Sequence, residues 1–198
     1  MRHSVAPLLT LLLALTACGS TPETRWYLLE ATGTPVAAAD GPRIGIARLE
    51  VAEYLLAPQI QTREGANGLR RANFAQWAEP LDKGVARVLL LDLAAAVGTE
   101  RVRLAPWPRD WVPERELMVR IQRLDAGPEG AQLVATWSVQ DGARKTPARD
   151  RLAQISVPRS GSDGASVAAD LSALLNELAL RIAADIAAGA GDAAGASD

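Results

Sequence analysis

The chain contains 198 residues, of which 48% are hydrophobic and 22% are charged, and its formal net charge at pH 7 is −2. A chain of this length is expected to form one domain with a core large enough to fold without disulfides. Because it has no excess of basic residues, the composition argues against nucleic acid as a partner.

The amino terminus has the three parts of an export signal. Arg2 provides the basic start, an apolar run extends over residues 5–15, and small residues precede Cys18. The run is shorter than the roughly 20 apolar residues that cross a bilayer. The stretch "LTAC", which begins at Leu15, resembles the bacterial lipobox, and this predicts a signal peptide over residues 1–17 and acylation of Cys18. The alternative is a plain secretory signal in which the cysteine is incidental.

Acylation of Cys18 predicts a lipid-anchored protein. Three acyl chains should hold it almost permanently, since each buried CH₂ contributes about 0.8 kcal/mol. In lipoproteins of diderm bacteria, a residue other than Asp after the cysteine favours the outer membrane, and here that residue is Gly19. The predicted location is therefore the periplasmic leaflet of the outer membrane, with residues 18–23 as a short tether.

Strands and a hairpin are predicted after the tether. Residues 24–30 are typical of a strand with apolar side chains on both faces, so we expect both faces to be covered. In residues 43–55 the apolar alternation changes register near residues 47–48, which indicates a β-bulge. Residues 58–64 and 69–76, joined by "GANG", predict a hairpin.

A helix is predicted next, because six apolar residues share one helical stripe. They are Leu81, Val85, Val88, Leu89, Leu93 and Ala96. Pro80 suits the first turn, where its missing N–H is not needed, and Gly98 can close the helix.

The second half predicts more strands. Residues 101–113 carry a strand into a loop, since three prolines remove hydrogen-bond donors. Residues 116–124 and 131–140 alternate as a strand pair joined by residues 125–130, and residues 151–158 predict a further strand.

A long amphipathic helix follows, with seven apolar residues on one stripe: Val167, Leu171, Leu174, Leu175, Leu178, Ile182 and Ile186. Asp170 is expected on the opposite, polar face. Core packing is the favoured role of the stripe, and a partner-binding or membrane-lying face is the alternative. Residues 189–198 predict a flexible tail.

The order of these elements predicts an α+β fold. We expect a mixed, mostly antiparallel sheet of about seven strands with two amphipathic helices packed on one face. A single domain would span residues 24–188.

Few residues of the predicted mature chain suit catalysis or metal binding. The only histidine, His3, lies in the signal peptide, and the only cysteine is the acylated one. Ser-His-Asp and Cys-His catalysis and the usual Zn, Cu and Fe sites are therefore excluded, so we predict no catalytic residue, metal or cofactor. The remaining candidates are carboxylates, namely Glu114, Glu116, Asp82 and Asp92. Charges at a strand entrance are usually solvated, which disfavours Glu114 and Glu116.

Several segments together resemble one family, the PqiC-type ABC-transport auxiliary lipoproteins. They are the lipobox, "RWYLL", "EYLLAPQIQTR", "RRANFAQWAEPLDKGVARVLLLDLAAAVGTERV", "APW" and the closing amphipathic helix. The resemblance implies work beside an ABC permease and a periplasmic MCE-domain protein that move lipid between the two membranes. It also implies that the lipoprotein stands at the outer-membrane end of this path, and at least some members of the family form homo-oligomeric rings.

The most specific motifs of the resemblance are "PQIQTR" and "WAEPL". Their residues Pro58, Gln59, Trp77, Glu79 and Pro80 have a structural interpretation, in which they form a strand-to-helix corner with Trp77 in the core.

Trp107 and Trp111 in the proline-rich loop are the candidate partner-binding residues. Tryptophan is enriched at interfaces, although loop tryptophans can also fold back over a sheet edge.

The function expected from these observations is that of a non-enzymatic lipoprotein which docks the periplasmic MCE protein at the outer membrane. One alternative is a structural lipoprotein of another outer-membrane assembly or secretion complex. A carboxylate-based periplasmic hydrolase is the other, and it would require two converging carboxylates in a pocket.

Overall fold

The computed structural model describes residues 22–34, 41–142 and 150–194. The predicted signal peptide and the predicted acylation site Cys18 lie outside the described residues. Within the described part, no helix is both long and apolar enough to cross a membrane.

The described residues form eight strands, one short 3-10 helix and two α-helices. In chain order they are β1 (Arg25–Tyr27), β2 (Ile44–Val51), the 3-10 helix (Glu53–Leu56), β3 (Gln59–Glu64), β4 (Gly68–Trp77), α1 (Leu81–Val97), β5 (Val102–Leu104), β6 (Arg115–Gly127), β7 (Gly130–Asp141), β8 (Arg151–Val157) and α2 (Gly164–Ala194).

The sheet is built around β6. β7 pairs with β6 in antiparallel orientation over the whole length of β6. β8 pairs with residues 131–137 of β7, also in antiparallel orientation. On the other side of β6 the sheet divides into two branches. β2 runs parallel to the first half of β6 and is flanked by β5, whereas β3 meets the end of β6 at Ala126 and is flanked by β4 and then β1. The predicted α+β fold with a mixed, mostly antiparallel sheet is confirmed.

Local sequence signals predict several details correctly. β2 has a register shift between Ile46 and Arg48, where the alternation changes. The hairpin consists of β3 and β4. α1 begins directly after Pro80 and ends at Gly98, whose φ of 73° is the left-handed conformation that glycine adopts without strain.

The two α-helices contact each other, and both pack on the same face of the sheet. All seven residues of the α2 stripe are buried, with at most 5% of their surface exposed. They form one core with the inward side chains of β6 and β7, among them Leu117, Ile121 and Leu133. The stripe is therefore core, and its alternative role as a partner-binding face is wrong.

Three expectations need correction. Asp170 is buried instead of lying on a polar face, because its Oδ2 accepts a hydrogen bond from the backbone N–H of Ser160 at 3.2 Å. β6 and β7 extend into the predicted loop and leave only residues 128–129 between them. Only one face of the first strand is covered. Tyr27 turns toward α2, whereas Trp26 on the other face is 61% exposed.

α2 itself continues through Ala194, beyond residue 188, where composition places the start of a flexible tail.

Candidate interaction surfaces

The motif residues lie where β1, β3, β4 and α1 meet. Trp77 is only 6% exposed, and its backbone N–H donates to the carbonyl of Pro58 at 2.8 Å. Gln59 pairs with Gln76 in the β3–β4 ladder. The next backbone N–H, of Ala78, donates to the carbonyl of Tyr27 at 2.8 Å. These bonds attach β1 and β3 to the end of β4.

Glu79 and Pro80 connect this corner to α1. The guanidinium of Arg87 donates from Nη2 to Glu79 Oε1 at 2.7 Å and to the carbonyl of Leu29 at 2.7 Å. The carbonyl of Pro80 accepts from the N–H of Gly84 at 3.1 Å, which closes the first helical turn. The five motif residues therefore lie together at this corner, and their structural interpretation stays a prediction.

An ion-pair cluster, which sequence reasoning missed, centres on the buried Asp125. Asp125 is 2% exposed and binds Arg63, with Nη2 to Oδ2 at 2.7 Å and Nε to Oδ1 at 3.1 Å. Arg123 Nε adds a contact of 3.0 Å to Oδ1, and the Tyr54 hydroxyl lies 3.4 Å from Oδ2. Burial and the neighbouring Asp125 charge raise the pKa of Tyr54, whereas hydrogen bonding to Asp125 raises the pKa of Arg63.

Arg63 and Tyr54 both belong to the segment "EYLLAPQIQTR" that carries the resemblance, and this was the available signal for the cluster. The sequence does not indicate the third member, Asp125, because residues 125–130 have the composition of a loop. In the structure, a register shift between Ile121 and Arg123 precedes Asp125, which pairs with Gln132 in β7 and is buried.

Trp107 and Trp111 contact each other above β2. Their ring centroids are 5.7 Å apart at an interplanar angle of 57°. The Arg103 guanidinium lies over the Trp111 ring, 5.0 Å from its centroid, in a cation–π arrangement. The Trp107 ring covers the backbone of Gly45 so closely that a Cβ atom there would be 2.8 Å from it. Both tryptophans are partly exposed, and Trp107 also covers the sheet.

Three of the four candidate carboxylates have a side-chain contact within the fold. Glu114 pairs with Arg43 at 3.5 Å, and Asp82 pairs with Lys83 at 3.4 Å. Glu116 lies within β6, opposite Gln140. Asp92 is buried, and burial raises its pKa. Its Oδ1 accepts the backbone N–H groups of residues 32 and 33 at 2.9 and 2.8 Å.

No group of three or more His, Cys, Asp or Glu side chains that could hold a metal occurs within residues 22–34, 41–142 and 150–194.

A groove of about 490 Å³ separates the β3–β4 hairpin from the start of α2. Its walls include apolar side chains such as Ile60 and Val167 together with three arginines, Arg63, Arg70 and Arg159. Each arginine already binds an oxygen of the protein, in Asp125, Glu64 and the carbonyl of Gly161 respectively. Arg63 and Arg70 are paired with carboxylates, whereas Arg159 is held by a neutral carbonyl, and we assign no ligand to the groove.

The forked sheet with two helices on one face also occurs in solved structures. A crystal structure of a Xanthomonas campestris protein of the DUF330 family superimposes with a TM-score of 0.69 at 16% identity, covering 86% of this chain and 99% of that one. An uncharacterized protein superimposes with a TM-score of 0.67 at 15% identity, covering 83% and 99%. At these identities the likeness defines the fold alone.

A PelC dodecamer from Paraburkholderia phytofirmans has a TM-score of 0.45 at 13% identity, covering 76% of this chain and 93% of that one, which is too distant to support an argument. No curated protein sequence matches the chain.

The family model of the ABC-type transport auxiliary lipoprotein component matches residues 27–183. The chain belongs to this family. The resemblance noted from the motifs is thereby confirmed, and the family is one of lipoproteins that assist ABC-type transport.

Proposed function

We propose that this protein is a non-enzymatic lipoprotein, anchored through acylated Cys18 in the periplasmic leaflet of the outer membrane. It docks a periplasmic MCE-domain protein there and thereby serves an ABC permease that moves lipid between the membranes. The observation that carries the proposal is the match of the auxiliary-lipoprotein family model over residues 27–183.

The contacts of the candidate carboxylates support a docking role over catalysis. Glu114 and Asp82 form ion pairs, and Oδ1 of Asp92 holds a loop, so each of these three side chains has a contact within the fold. A general acid or base needs a carboxyl group that can reach a substrate. Docking requires only accessible surface, and the loop of Trp107 and Trp111 offers aromatic side chains beside Arg103, the residue types enriched at interfaces.

Binding of purified proteins tests the proposal. The acylated lipoprotein, held in detergent, is immobilised and exposed to the periplasmic domain of the MCE protein encoded in the same genome. Saturable binding that is lost on unfolding of the lipoprotein supports the proposal. Absence of binding for both the monomeric and the ring form would contradict it.

Fractionation tests the anchor separately. Cys18→Ser should leave an unprocessed precursor or a soluble periplasmic form, because the anchoring free energy lies in the acyl chains. If the variant matures normally and still fractionates wholly with the outer membrane, the lipobox interpretation is wrong.

A further inference from the structure

Three apolar side chains around the edge strand β1 are exposed. Trp26 is 61% exposed, Leu28 44% and Phe74 39%, and we call them the β1-edge patch. Trp26 lies beside Gln76 in the parallel β1–β4 ladder, so both side chains face the same side of the sheet. Phe74 lies two residues before Gln76 in β4, next to a register shift in the β3–β4 ladder, and its side chain is exposed.

The fold does not need this patch for its core. The opposite face of the two strands carries Tyr27 and Trp77, and these side chains are directed inward. Tyr27 packs against the start of α2 at Gly164, and Leu29 is buried. β1 is also an end strand of the sheet in the described residues, so no further strand covers Trp26.

The position of β1 in the chain limits how far the patch can be from the lipid. Trp26 follows Cys18 by eight residues. A fully extended chain spans about 3.3–3.6 Å per residue, so Trp26 lies at most about 29 Å from the acylated residue. Tryptophan is the side chain most typical of the membrane–water interface, because its ring is apolar and its N–H remains hydrated.

We propose that the β1-edge patch lies on the lipid surface in which Cys18 is anchored, with Trp26 inserted among the headgroups. The inference rests on the proposed acylation of Cys18. Such a contact orients the domain on the membrane, which a flexible tether alone does not do.

The charges next to the patch indicate which lipids it should accept. Residues 23–30 carry Glu23, Arg25 and Glu30, so the segment has no basic excess. Attraction to anionic lipid requires clustered Lys and Arg. Apolar and aromatic insertion should therefore hold the patch equally well on zwitterionic lipid, with little dependence on salt.

Fluorescence quenching tests the contact. The acylated full chain is reconstituted into phosphatidylcholine vesicles that contain brominated acyl chains, after mass spectrometry of the Cys18 peptide has confirmed the acyl groups. We expect quenching of tryptophan emission in the wild type, and we expect Trp26→Ala to remove at least half of it. Trp111→Ala, a control from the loop after β5, which lies at the opposite end of the strand order from β1, should not reduce it.

Each other outcome overturns the inference in a distinguishable way. If Cys18 carries no acyl group, the proposed anchor fails and the patch proposal fails with it. If Cys18 is acylated but Trp26→Ala leaves the quenching unchanged, only the patch proposal fails. If Trp26→Ala instead lowers the mass of an oligomer measured by light scattering without affecting quenching, the patch is an interface between copies of this chain.

Discussion

The two faces of the sheet near β1 are both apolar in sequence, but only one of them is covered. Tyr27 and Leu29 turn toward α2 and the core, whereas Trp26 and Leu28 on the other side are exposed. The covered face also holds the complete apolar stripe of α2 and the stripe of α1 except Ala96. The difference shows that apolar residues on the helix side stabilise the fold, whereas those on the open side are available for contacts with other molecules.

The largest expected effect is at the covered face. Leu175→Asp would bury an unpaired charge at a position with no exposed surface, and should lower the free energy of unfolding by several kcal/mol. Leu180→Asp is the matched control, because Leu180 is on the same helix but 48% exposed. Thermal unfolding of both variants measures the difference. A Leu175→Asp protein that stays as stable as the control would contradict the core assignment.

The Asp125 cluster should show the next largest effect. Asp125→Ala removes the buried carboxylate that binds the partly exposed guanidinium of Arg63, and we expect a loss of about 2–4 kcal/mol in denaturant unfolding. The control is Glu64→Ala, which breaks the exposed pair with Arg70 and should cost clearly less, because solvent screens an exposed pair. Equal losses for the two variants would show that the burial of Asp125 does not matter.

These two predictions also show what the sequence can and cannot specify. Periodicity identifies Leu175 as core, and the turn residues Pro80 and Gly98 mark both ends of α1, because these signals are local. The pairing of Arg63 with Asp125 joins positions 62 residues apart, and a local pattern does not encode such contacts.

The burial of polar side chains and of tryptophans was the hardest feature to predict from the sequence. Helical spacing places Asp170 outside the core, yet a loop returns to it and donates a backbone N–H. Similarly, the alternation in β1 does not indicate which face the helices cover. Trp107 and Trp111 are recognisable as loop residues, but the close contact of Trp107 with Gly45 depends on how the loop folds back over β2.

Substitutions in the loop of Trp107 and Trp111 should affect binding more than stability. Alanine at both Trp107 and Trp111 is expected to weaken self-assembly or capture of the MCE partner by more than about tenfold, or roughly 1.4 kcal/mol. Unfolding temperature and partner pull-down are measured on the same protein. Because Trp107 also packs on Gly45, the single variant Trp111→Ala serves as the control that keeps this packing. Unchanged pull-down from a well-folded double variant would remove the loop from the binding surface.

The smallest effect concerns pH. Burial raises the pKa of Asp92 above its ordinary value of 3.8, so the folded state favours the protonated carboxyl. Its contribution to stability is complete below the ordinary pKa and declines as pH rises through the raised one. Asp92→Asn removes this titration. The difference in unfolding free energy, wild type minus variant, should therefore decrease from about pH 4 upward and then become constant. Urea unfolding across this range measures it, and an increasing difference would contradict the assignment.

The most direct test of the central claim is purification of the acylated protein from native membranes, followed by mass spectrometry of the proteins that accompany it. The Cys18→Ser variant, expressed at the same level, controls for proteins that bind without anchoring. The account predicts that an ABC permease and a periplasmic MCE-domain protein accompany the wild type and are depleted with the variant. Recovery of components of a different outer-membrane assembly or secretion complex, with neither of those two proteins, would contradict it.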